Sequence, residues 1–178
     1  MRSLAVFLAV LFISAFHVSP SSGAPTHFRI VIKKSERKLY LYQSDSLLKT
    51  YKIALGLVPV GKKEKRGDYK TPEGEYYICS KNSHSRFYLA LGISYPNLVD
   101  AQEGLRNSRI SLNDYRNIDA GILARRSPPQ STALGGEIFI HGNGTARDWT
   151  WGCVALDDSD VKELFEKIAV GTPVKIDP

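Results

Sequence analysis

Residues 138–142 read Ile-Phe-Ile-His-Gly and, after a polar loop, residues 150–156 read Thr-Trp-Gly-Cys-Val-Ala-Leu. The first run is apolar and rich in β-branched residues, so it favours a strand that delivers His141 at its C-terminal end. The loop ends at Gly152, and Cys153 opens the second apolar run. This layout can place an imidazole beside a thiol. Because a thiol with a reference pKa of about 8.5 is mostly protonated at neutral pH, a neighbouring histidine would be needed to make it a nucleophile.

Each member of this pair also has a simpler interpretation. A cysteine in an apolar setting is usually an inert small hydrophobe. A histidine at a strand end is more often structural than catalytic. The residues alone therefore leave a catalytic pair and a packed pair both open, with Cys153 as a candidate nucleophile.

The whole motif resembles the signature of the L,D-transpeptidase (YkuD-type) catalytic domain, in which His-Gly, a loop and Ser/Thr-x-Gly-Cys precede an apolar residue. Residues 70–76, Lys-Thr-Pro-Glu-Gly-Glu-Tyr, are similar to that family's Thr-Pro-x-Gly-x-Phe/Tyr strand entry. Residues 93–97, Ile-Ser-Tyr-Pro-Asn, resemble the subgroup that includes murein-lipoprotein amidases. One position departs from the pattern: many members carry an arginine two residues after the cysteine, where this chain has Ala155.

The resemblance implies a mainly β fold: an antiparallel β-sandwich with a helical insertion and one C-terminal helix. It implies an exported cysteine enzyme that acts on peptidoglycan stem peptides and forms an acyl-enzyme at Cys153, for cell-wall cross-linking or remodelling. The alternative within the family is a hydrolytic cysteine amidase that releases wall-attached lipoprotein or peptides. In both reactions His141 is the proton donor and acceptor, and neither reaction needs a cofactor or a metal.

The loop around the cysteine holds the expected oxyanion donors. Backbone N–H groups from Trp151 to Cys153 are the expected source, because Gly152 lets the chain lie flat against a carbonyl. Thr150 either orients a polar partner or finishes the loop.

Two polar residues of the same loop are candidates for substrate binding. Asn143 or Arg147 could meet a substrate carboxylate in place of the arginine that is missing at position 155. Arg147 is equally explained as a surface charge.

The N-terminal residues 1–24 are typical of a secretory signal. Arg2 precedes an apolar run from Leu4 to Phe16 that is shorter than the roughly 20 residues of a membrane-spanning helix. Residues 22–24, Ser-Gly-Ala, fit a cleavage site, although Pro25 leaves an uncleaved anchor open. Residues 25–178 then form one catalytic domain, which we expect in the periplasm or cell envelope.

The formal net charge of the 178-residue chain is +6 and stays positive without Arg2. A basic exported protein suits an anionic surface such as cell wall or lipid headgroups. No cluster of lysine and arginine interleaved with aromatics indicates nucleic-acid binding. The densest basic run, residues 62–66, is either a solvated loop or a guide for an acidic substrate.

Hydrophobic periodicity predicts the elements. Alternation predicts strands over residues 28–33, 39–42, 47–55, 74–80, 87–93 and 174–176, the first three as an antiparallel meander. The polar stretch 98–126 predicts two short helices or a helix and a cap, either packing on the sheet or acting as a lid. Apolar residues at 161, 164, 165 and 168 predict a helix after Cys153, capped by Asp157 and ended near Gly171.

The second cysteine supplies the main rival hypothesis. Exported chains with two cysteines commonly form a disulfide, and a Cys79–Cys153 bridge would make the protein a non-catalytic, wall-binding β-sandwich. A metal site is a weaker rival because the histidines show no ligand spacing.

Overall fold

The structure is a computed structural model that describes residues 27–178. The predicted signal segment, residues 1–24, lies outside the described residues. Eight strands and three helices follow one another in the order β1 Phe28–Lys33, β2 Lys38–Gln43, β3 Ser46–Lys52, β4 Gly74–Ser85, β5 Tyr88–Ile93, α1 Leu98–Arg106, α2 Leu112–Leu123, β6 Phe139–His141, β7 Val154–Ala155, α3 Asp158–Lys167 and β8 Pro173–Asp177. Within the described residues no helix is long and apolar enough to cross a membrane.

The strands form one continuous sheet in the order β3-β2-β1-β8-β4-β5-β6-β7. Strand β4 joins two halves, because its residues 74–77 pair with β8 and its later residues pair with β5. The mainly β fold with a helical insertion and a C-terminal helix is therefore confirmed. The two layers expected of a sandwich are parts of one curled sheet.

Two strand pairs are parallel, which the expectation of an antiparallel fold did not include. Strand β8 runs parallel to β1, and β7 runs parallel to β6. Parallel neighbours need a crossover connection of about a dozen residues or more. The polar loop between His141 and Val154 is such a crossover, so its length follows from the direction of β7.

Curling brings the two ends of the strand order together. The chain just after β3 pairs with β7: the Ala54 amide donates to the Ala155 carbonyl at 2.9 Å, and the Ala155 amide donates back to Ala54 at 2.8 Å. Gly56 forms a further bridge with Thr150. The segment after β3 is thereby fixed beside the loop that carries the cysteine.

One hydrophobic core fills the curl. It takes buried residues from both halves of the sheet and from α3, among them Ile30, Leu41, Ile78, Ile140, Val154 and Leu164. Fully burying a side chain of this size contributes about 1.5–3 kcal/mol relative to leaving it exposed. The inward alternation of β1 and β2 was readable from the sequence because it depends only on local pattern.

The helical insertion is two helices, one of the two expected forms, and both begin with capping boxes. Asn97 with Asp100 and Ser111 with Asp114 exchange side-chain and backbone hydrogen bonds at the helix starts. The helices bury a separate small core of Ala101, Ile110, Ile118 and Leu134.

Asp157 occupies the N-cap position of α3, as predicted, but its side chain makes no capping hydrogen bond to the helix. Its carboxylate accepts hydrogen bonds from the amide and the hydroxyl of Thr145, both at 3.1 Å. The helix ends at Lys167, earlier than predicted, and Gly171 (φ +93°) occupies the following turn into β8.

A buried lysine fastens the loop between β3 and β4. Lys34 is 2% exposed, and its ammonium donates to the carbonyls of Gly61 (2.8 Å) and Thr71 (3.0 Å) and to the Glu73 carboxylate (2.7 Å). Burial lowers the pKa of Lys34. These three bonds satisfy all its donors, so the loop is tied to the end of β1.

Candidate active site

His141 and Cys153 lie on the same face of neighbouring strands. His141 pairs with Ala155 in the parallel register, which places Cys153 opposite Phe139. Because side chains alternate along a strand, Phe139 and His141 share a face, and Cys153 shares it with them. Both line one groove with a volume of about 1220 Å³. The structure therefore brings together the imidazole and the thiol that the sequence motif predicted.

The thiol is held between two backbone groups. Sγ lies 3.4 Å from the Phe139 amide, which donates to it, and its S–H donates to the Glu137 carbonyl at 3.5 Å. Burial raises the pKa of Cys153 to about 11, although the Phe139 amide and the nearby cations of Lys63 and Arg86 oppose that rise. The resting thiol is thus protonated at neutral pH, and a base must take its proton before it can attack.

The hydrogen bond of the His141 imidazole leaves one of its ring nitrogens able to accept a proton. His141 Nδ1 lies 2.7 Å from the Gly142 carbonyl. A carbonyl can only accept, so we assign the proton to Nδ1, and Nε2 keeps its lone pair. Burial lowers the pKa of His141, and the charge of Arg86 adds to this effect. The neutral base is therefore the resting form at pH 7.

Aromatic rings fix the plane of His141, which is 2% exposed. Phe87 stacks on it with ring centroids 4.6 Å apart, and Trp149 meets it edge-on at 5.6 Å. The Phe87 carbonyl also accepts the Gly142 amide at 3.0 Å. The β4–β5 hairpin turn and the crossover loop thus hold the imidazole from two sides.

The crossover loop turns away from the groove directly after Gly142. Asn143 has φ +84°, and its amide donates to the Asp158 carboxylate at 2.8 Å. Neither Asn143 nor Arg147 lines the groove. The prediction that they bind substrate is not supported, because Asp157 and Asp158 hold this part of the loop against the start of α3.

Thr150 completes the turn before the cysteine. Its hydroxyl donates to the Cys153 carbonyl at 2.7 Å and accepts the Gly152 amide at 3.2 Å. Thr150 is 3% exposed. Of its two possible roles, finishing the loop is the one that these bonds support, although Thr150 also belongs to the lining of the groove.

Gly152 could not be another residue without moving the backbone. It has φ +125°, and a Cβ there would lie 2.7 Å from the Lys70 carbonyl oxygen. The sequence analysis included the N–H of Gly152 among the expected oxyanion donors. In the structure that N–H already donates to the Thr150 hydroxyl. Trp151, next to it, is 75% exposed and meets Tyr69 at the groove wall with ring centroids 6.0 Å apart.

Ala155 stands where the sequence analysis noted the missing arginine, and it lies inside the sheet. Its side chain is fully buried, and its backbone pairs with Ala54 and His141. The position therefore presents no charge to the groove in this chain.

Two charged residues of the groove were missed by the sequence analysis. Arg86 lies in the β4–β5 hairpin turn, and Glu137 precedes β6 in a left-handed conformation with φ +55°. Such a backbone is uncommon for a residue other than glycine and is often found at functional sites. No motif marks either residue; only the Gly-Gly before Glu137 signalled an unusual backbone.

The two cysteines are both free, which contradicts the disulfide hypothesis. Cys79 lies within β4, and burial raises its pKa, while hydrogen bonds with Ser127 and Ser80 oppose the rise. Cys153 faces the groove instead. A β-sandwich stapled through these two residues is therefore not the structure of this chain.

The helices α1 and α2 do not cover the groove. Its lining includes the segment that follows them, from Gln130 to Glu137, but within residues 27–178 it takes no residue of either helix. The insertion therefore forms no part of the groove, so the lid alternative is not supported. Its two helices pack on each other and on Leu134. In the same part of the chain, His, Cys, Asp and Glu side chains form no group of three that could hold a metal ion.

Comparison with known proteins identifies the same family that the sequence motif resembles. The L,D-transpeptidase catalytic domain (YkuD) matches residues 27–176. The chain is 31% identical over 191 residues to YafK of Escherichia coli, described as a candidate L,D-transpeptidase, in an alignment covering 93% of this chain and 63% of that protein. The chain thus spans less than two thirds of this relative.

Solved structures share the fold at low identity. The helical cell shape determining protein Pgp2 from Campylobacter jejuni has a TM-score of 0.56 at 23% identity, covering 85% of this chain and 47% of that one. An L,D-transpeptidase from Mycobacterium smegmatis has a TM-score of 0.51 at 10% identity, covering 86% and 59%. These structures show the fold, and the match over residues 27–176 shows that the chain belongs to the L,D-transpeptidase catalytic domain (YkuD) family.

Proposed function

We propose that this protein is a cysteine acyltransferase that cleaves an amide bond of peptidoglycan stem peptides through an acyl-enzyme on Cys153. The observation that carries this proposal is the shared groove face of Cys153 and His141, with Nε2 of the imidazole left free by the bond from Nδ1 to the Gly142 carbonyl. A protonated thiol beside a neutral imidazole is a competent starting state for nucleophilic catalysis.

The reaction has two balanced steps. His141 Nε2 takes the Cys153 proton while Sγ attacks the amide carbonyl, and the same proton passes to the nitrogen of the leaving amine as the C–N bond breaks. The product is a thioester and a free amine. An acceptor amine, or water, then attacks the thioester carbonyl, gives its proton to His141, and releases the thiol.

The oxyanion of each tetrahedral intermediate needs preorganised donors. We assign them to the backbone N–H groups of Trp151 and Cys153, which donate to no protein acceptor in the described part of the chain. The hydrogen bonds of Thr150 hold the turn that contains both amides. Removing one such donor typically costs about 10²–10³ in rate.

The family and the shape of the site support this substrate class. L,D-transpeptidases act on peptidoglycan, and the similar Pgp2 structure is that of a cell-shape-determining protein. A groove of about 1220 Å³ has room for several residues of a peptide. Transfer to an amine is the main reaction that we propose, and hydrolysis, including release of a wall-linked lipoprotein, uses the same thioester.

Incubation of the purified protein with defined muropeptides tests the proposal. Mass spectrometry should show cross-linked dimers if an amine accepts the acyl group, or shortened peptides if water does. Cys153→Ala should form neither product, while Cys79→Ala, a matched change outside the groove, should retain turnover. Products formed at the wild-type rate by Cys153→Ala would remove Cys153 from the mechanism.

We also propose that the protein works outside the cytoplasm, in the periplasm or cell envelope. The support is the short apolar run of residues 4–16 followed by a small-residue cleavage site near Ala24. Intact-mass measurement on secreted or periplasmic material should find a chain that begins near Pro25. A full-length chain found only in membranes would instead support the uncleaved anchor.

A further inference from the structure

An exposed apolar surface lies on three neighbouring segments of the chain beside the groove. The Val58 amide donates to the Tyr69 carbonyl at 3.1 Å, and the Leu57 amide donates to the Thr150 carbonyl at 3.0 Å. The chain that follows Gly56 is therefore fixed between residue 69 and the cysteine turn. These segments carry five large apolar side chains that are exposed, which we call the apolar rim: Leu57, Val58, Val60, Tyr69 and Trp151.

Val60 and Trp151 are the most exposed members of the apolar rim, at 81% and 75%. Tyr69 and Trp151 also line the groove, and their rings meet edge-on with centroids 6.0 Å apart. Leu57, Val58 and Val60 lie outside the groove lining. A contiguous exposed apolar surface marks a contact with a protein or with a membrane. The apolar rim is therefore a candidate contact surface that extends beyond the groove.

The loop that carries most of the apolar rim also has cations that no carboxylate neutralises. Within residues 27–178, Lys65, Arg66 and Lys70 form no salt bridge. A Cβ on Gly61 would lie 3.1 Å from Lys70 Nζ, so this ammonium stands beside the residue that follows Val60. Each carboxylate of residues 56–73 is by contrast held in an ion pair: Glu64 with Arg109, Asp68 with Lys63, and Glu73 with Lys34.

An anionic membrane surface fits this combination of side chains better than a second protein does. Tryptophan and tyrosine are enriched at the membrane–water interface, where one end of the side chain is apolar and the other is wet. Protruding apolar side chains enter a fluid lipid layer without a matching cavity, whereas a protein partner must offer a complementary surface. Binding then gains both from apolar burial and from the attraction of lysine and arginine to anionic headgroups.

We propose that the apolar rim inserts into the headgroup region of an anionic lipid bilayer, with Lys65, Arg66 and Lys70 at the lipid phosphates. Val60 and Trp151 enter deepest because they are the most exposed members. Since Trp151 also lines the groove, the contact places one wall of the groove at the membrane surface. Binding uses no chemistry of Cys153, so it is independent of the proposed reaction.

The fluorescence of Trp151 reports this insertion directly. The chain has two tryptophans, so Trp149→Phe leaves Trp151 as the sole indole. With vesicles of phosphatidylglycerol and phosphatidylcholine, the full-length Trp149→Phe protein should emit at shorter wavelength and be quenched by brominated acyl chains. Trp151→Phe, which keeps the half-buried Trp149, should show neither change. Because the signal comes from residue 151, binding of residues 1–26 to the same vesicles cannot imitate it.

The apolar contribution is measured by one substitution in the Trp149→Phe protein and a matched control. Val60→Asp should lower the vesicle partition coefficient, read from Trp151 quenching, by about tenfold, because a buried apolar side chain is lost. Leu123→Asp makes the same kind of change on α2, where Leu123 is 73% exposed, and should leave the coefficient unchanged.

The electrostatic contribution is measured in the same way. Lys70→Gln should lower the partition coefficient about fivefold on the anionic vesicles and leave it unchanged on pure phosphatidylcholine. Lys162→Gln, which removes an exposed charge from α3, should have little effect on either kind of vesicle. Because the substituted side chains are exposed or half-buried, the circular dichroism spectrum of each variant should match that of the parent.

Three results would overturn the proposal. The first is Trp151 emission that anionic vesicles neither shift nor quench. The second is an equal loss of binding in Val60→Asp and Leu123→Asp. The third is a parent chain that sedimentation shows to be a dimer, that Val60→Asp converts to a monomer, and whose Trp151 lipid does not quench; the apolar rim would then be an interface between copies. Failure to turn over muropeptides would refute the proposed reaction and leave the vesicle result as it stands.

Discussion

Replacing Thr150 by valine removes the hydroxyl that holds the cysteine turn while preserving the shape of the side chain. Two hydrogen bonds are lost together: the 2.7 Å bond to the Cys153 carbonyl and the 3.2 Å bond from the Gly152 amide. Thr150 and Gly152 are both buried, so water cannot fully replace the hydroxyl. The variant should therefore fold less stably and hold Cys153 less precisely.

The size of the loss follows from these two bonds. An unpaired buried polar group costs about 1–3 kcal/mol. The Gly152 bond is long and Cys153 is only half-buried, so each loss belongs at the low end of that range. The free energy of unfolding should fall by about 2 kcal/mol. With a urea m-value near 2 kcal/mol/M, the unfolding midpoint should fall by about 1 M.

Urea unfolding followed by circular dichroism measures this change, and Thr150→Ser is the matched control. Serine keeps the hydroxyl and loses one methyl group, which costs about 0.8 kcal/mol. A Thr150→Val midpoint equal to that of the parent chain would show that the hydroxyl does not hold the turn. A serine variant as unstable as the valine variant would assign the loss to packing instead.

Two further predictions concern the thiol and its neighbour. Because burial raises the pKa of Cys153 to about 11, iodoacetamide should alkylate the resting protein slowly at pH 7 and progressively faster up to about pH 11. The His141→Ala variant should show the same dependence of alkylation rate on pH. A fast rate that is already constant near pH 6 would instead indicate a preformed thiolate–imidazolium pair. Gly152→Ala should lose more than about 2 kcal/mol of unfolding free energy, because its Cβ would lie 2.7 Å from the Lys70 carbonyl oxygen. The control Gly67→Ala should lose only about 1 kcal/mol, because Gly67 has φ +74° but open space around the position of a Cβ. Equal midpoints for the two alanine variants in thermal unfolding would contradict the close contact.

The local alternation of apolar and polar residues predicted most of the strands. It could not predict which strands pair when they are far apart in the sequence. The alternation of residues 28–33 depends on side chains two positions apart, so it could be read directly. The parallel placement of β8 beside β1 depends on residues almost 150 positions apart. Strand β4 also extends to Ser85 through polar residues, because its end forms an exposed hairpin with β5.

In the candidate site, too, features that depend on neighbouring residues were predictable and features that depend on distant residues were not. His141 and Cys153 could be placed in one site because a short motif contains both. Asn143 and Arg147 were candidates because they are near in sequence, but neither lines the groove, since the positive φ of Asn143 and the hydrogen bond to Asp158 turn the loop away. Arg86 reaches the groove from a hairpin more than 50 residues upstream, and no pattern in its own segment indicates this.

The position of β8 has a consequence for how the chain acquires its structure. Pro173–Asp177 lie between β1 and β4, near the middle of the strand order, although they are almost 150 residues away from β1 along the chain. Without β8, β1 would have no neighbour on one side, and the two halves of the sheet would be joined only by the bridges from Ala54 to Ala155 and from Gly56 to Thr150. Contacts of such high sequence separation form slowly. Pairing of β8 should therefore be a late step in folding, and removal of residues 173–178 should unfold the domain, as measured by circular dichroism, rather than cost it a single edge strand.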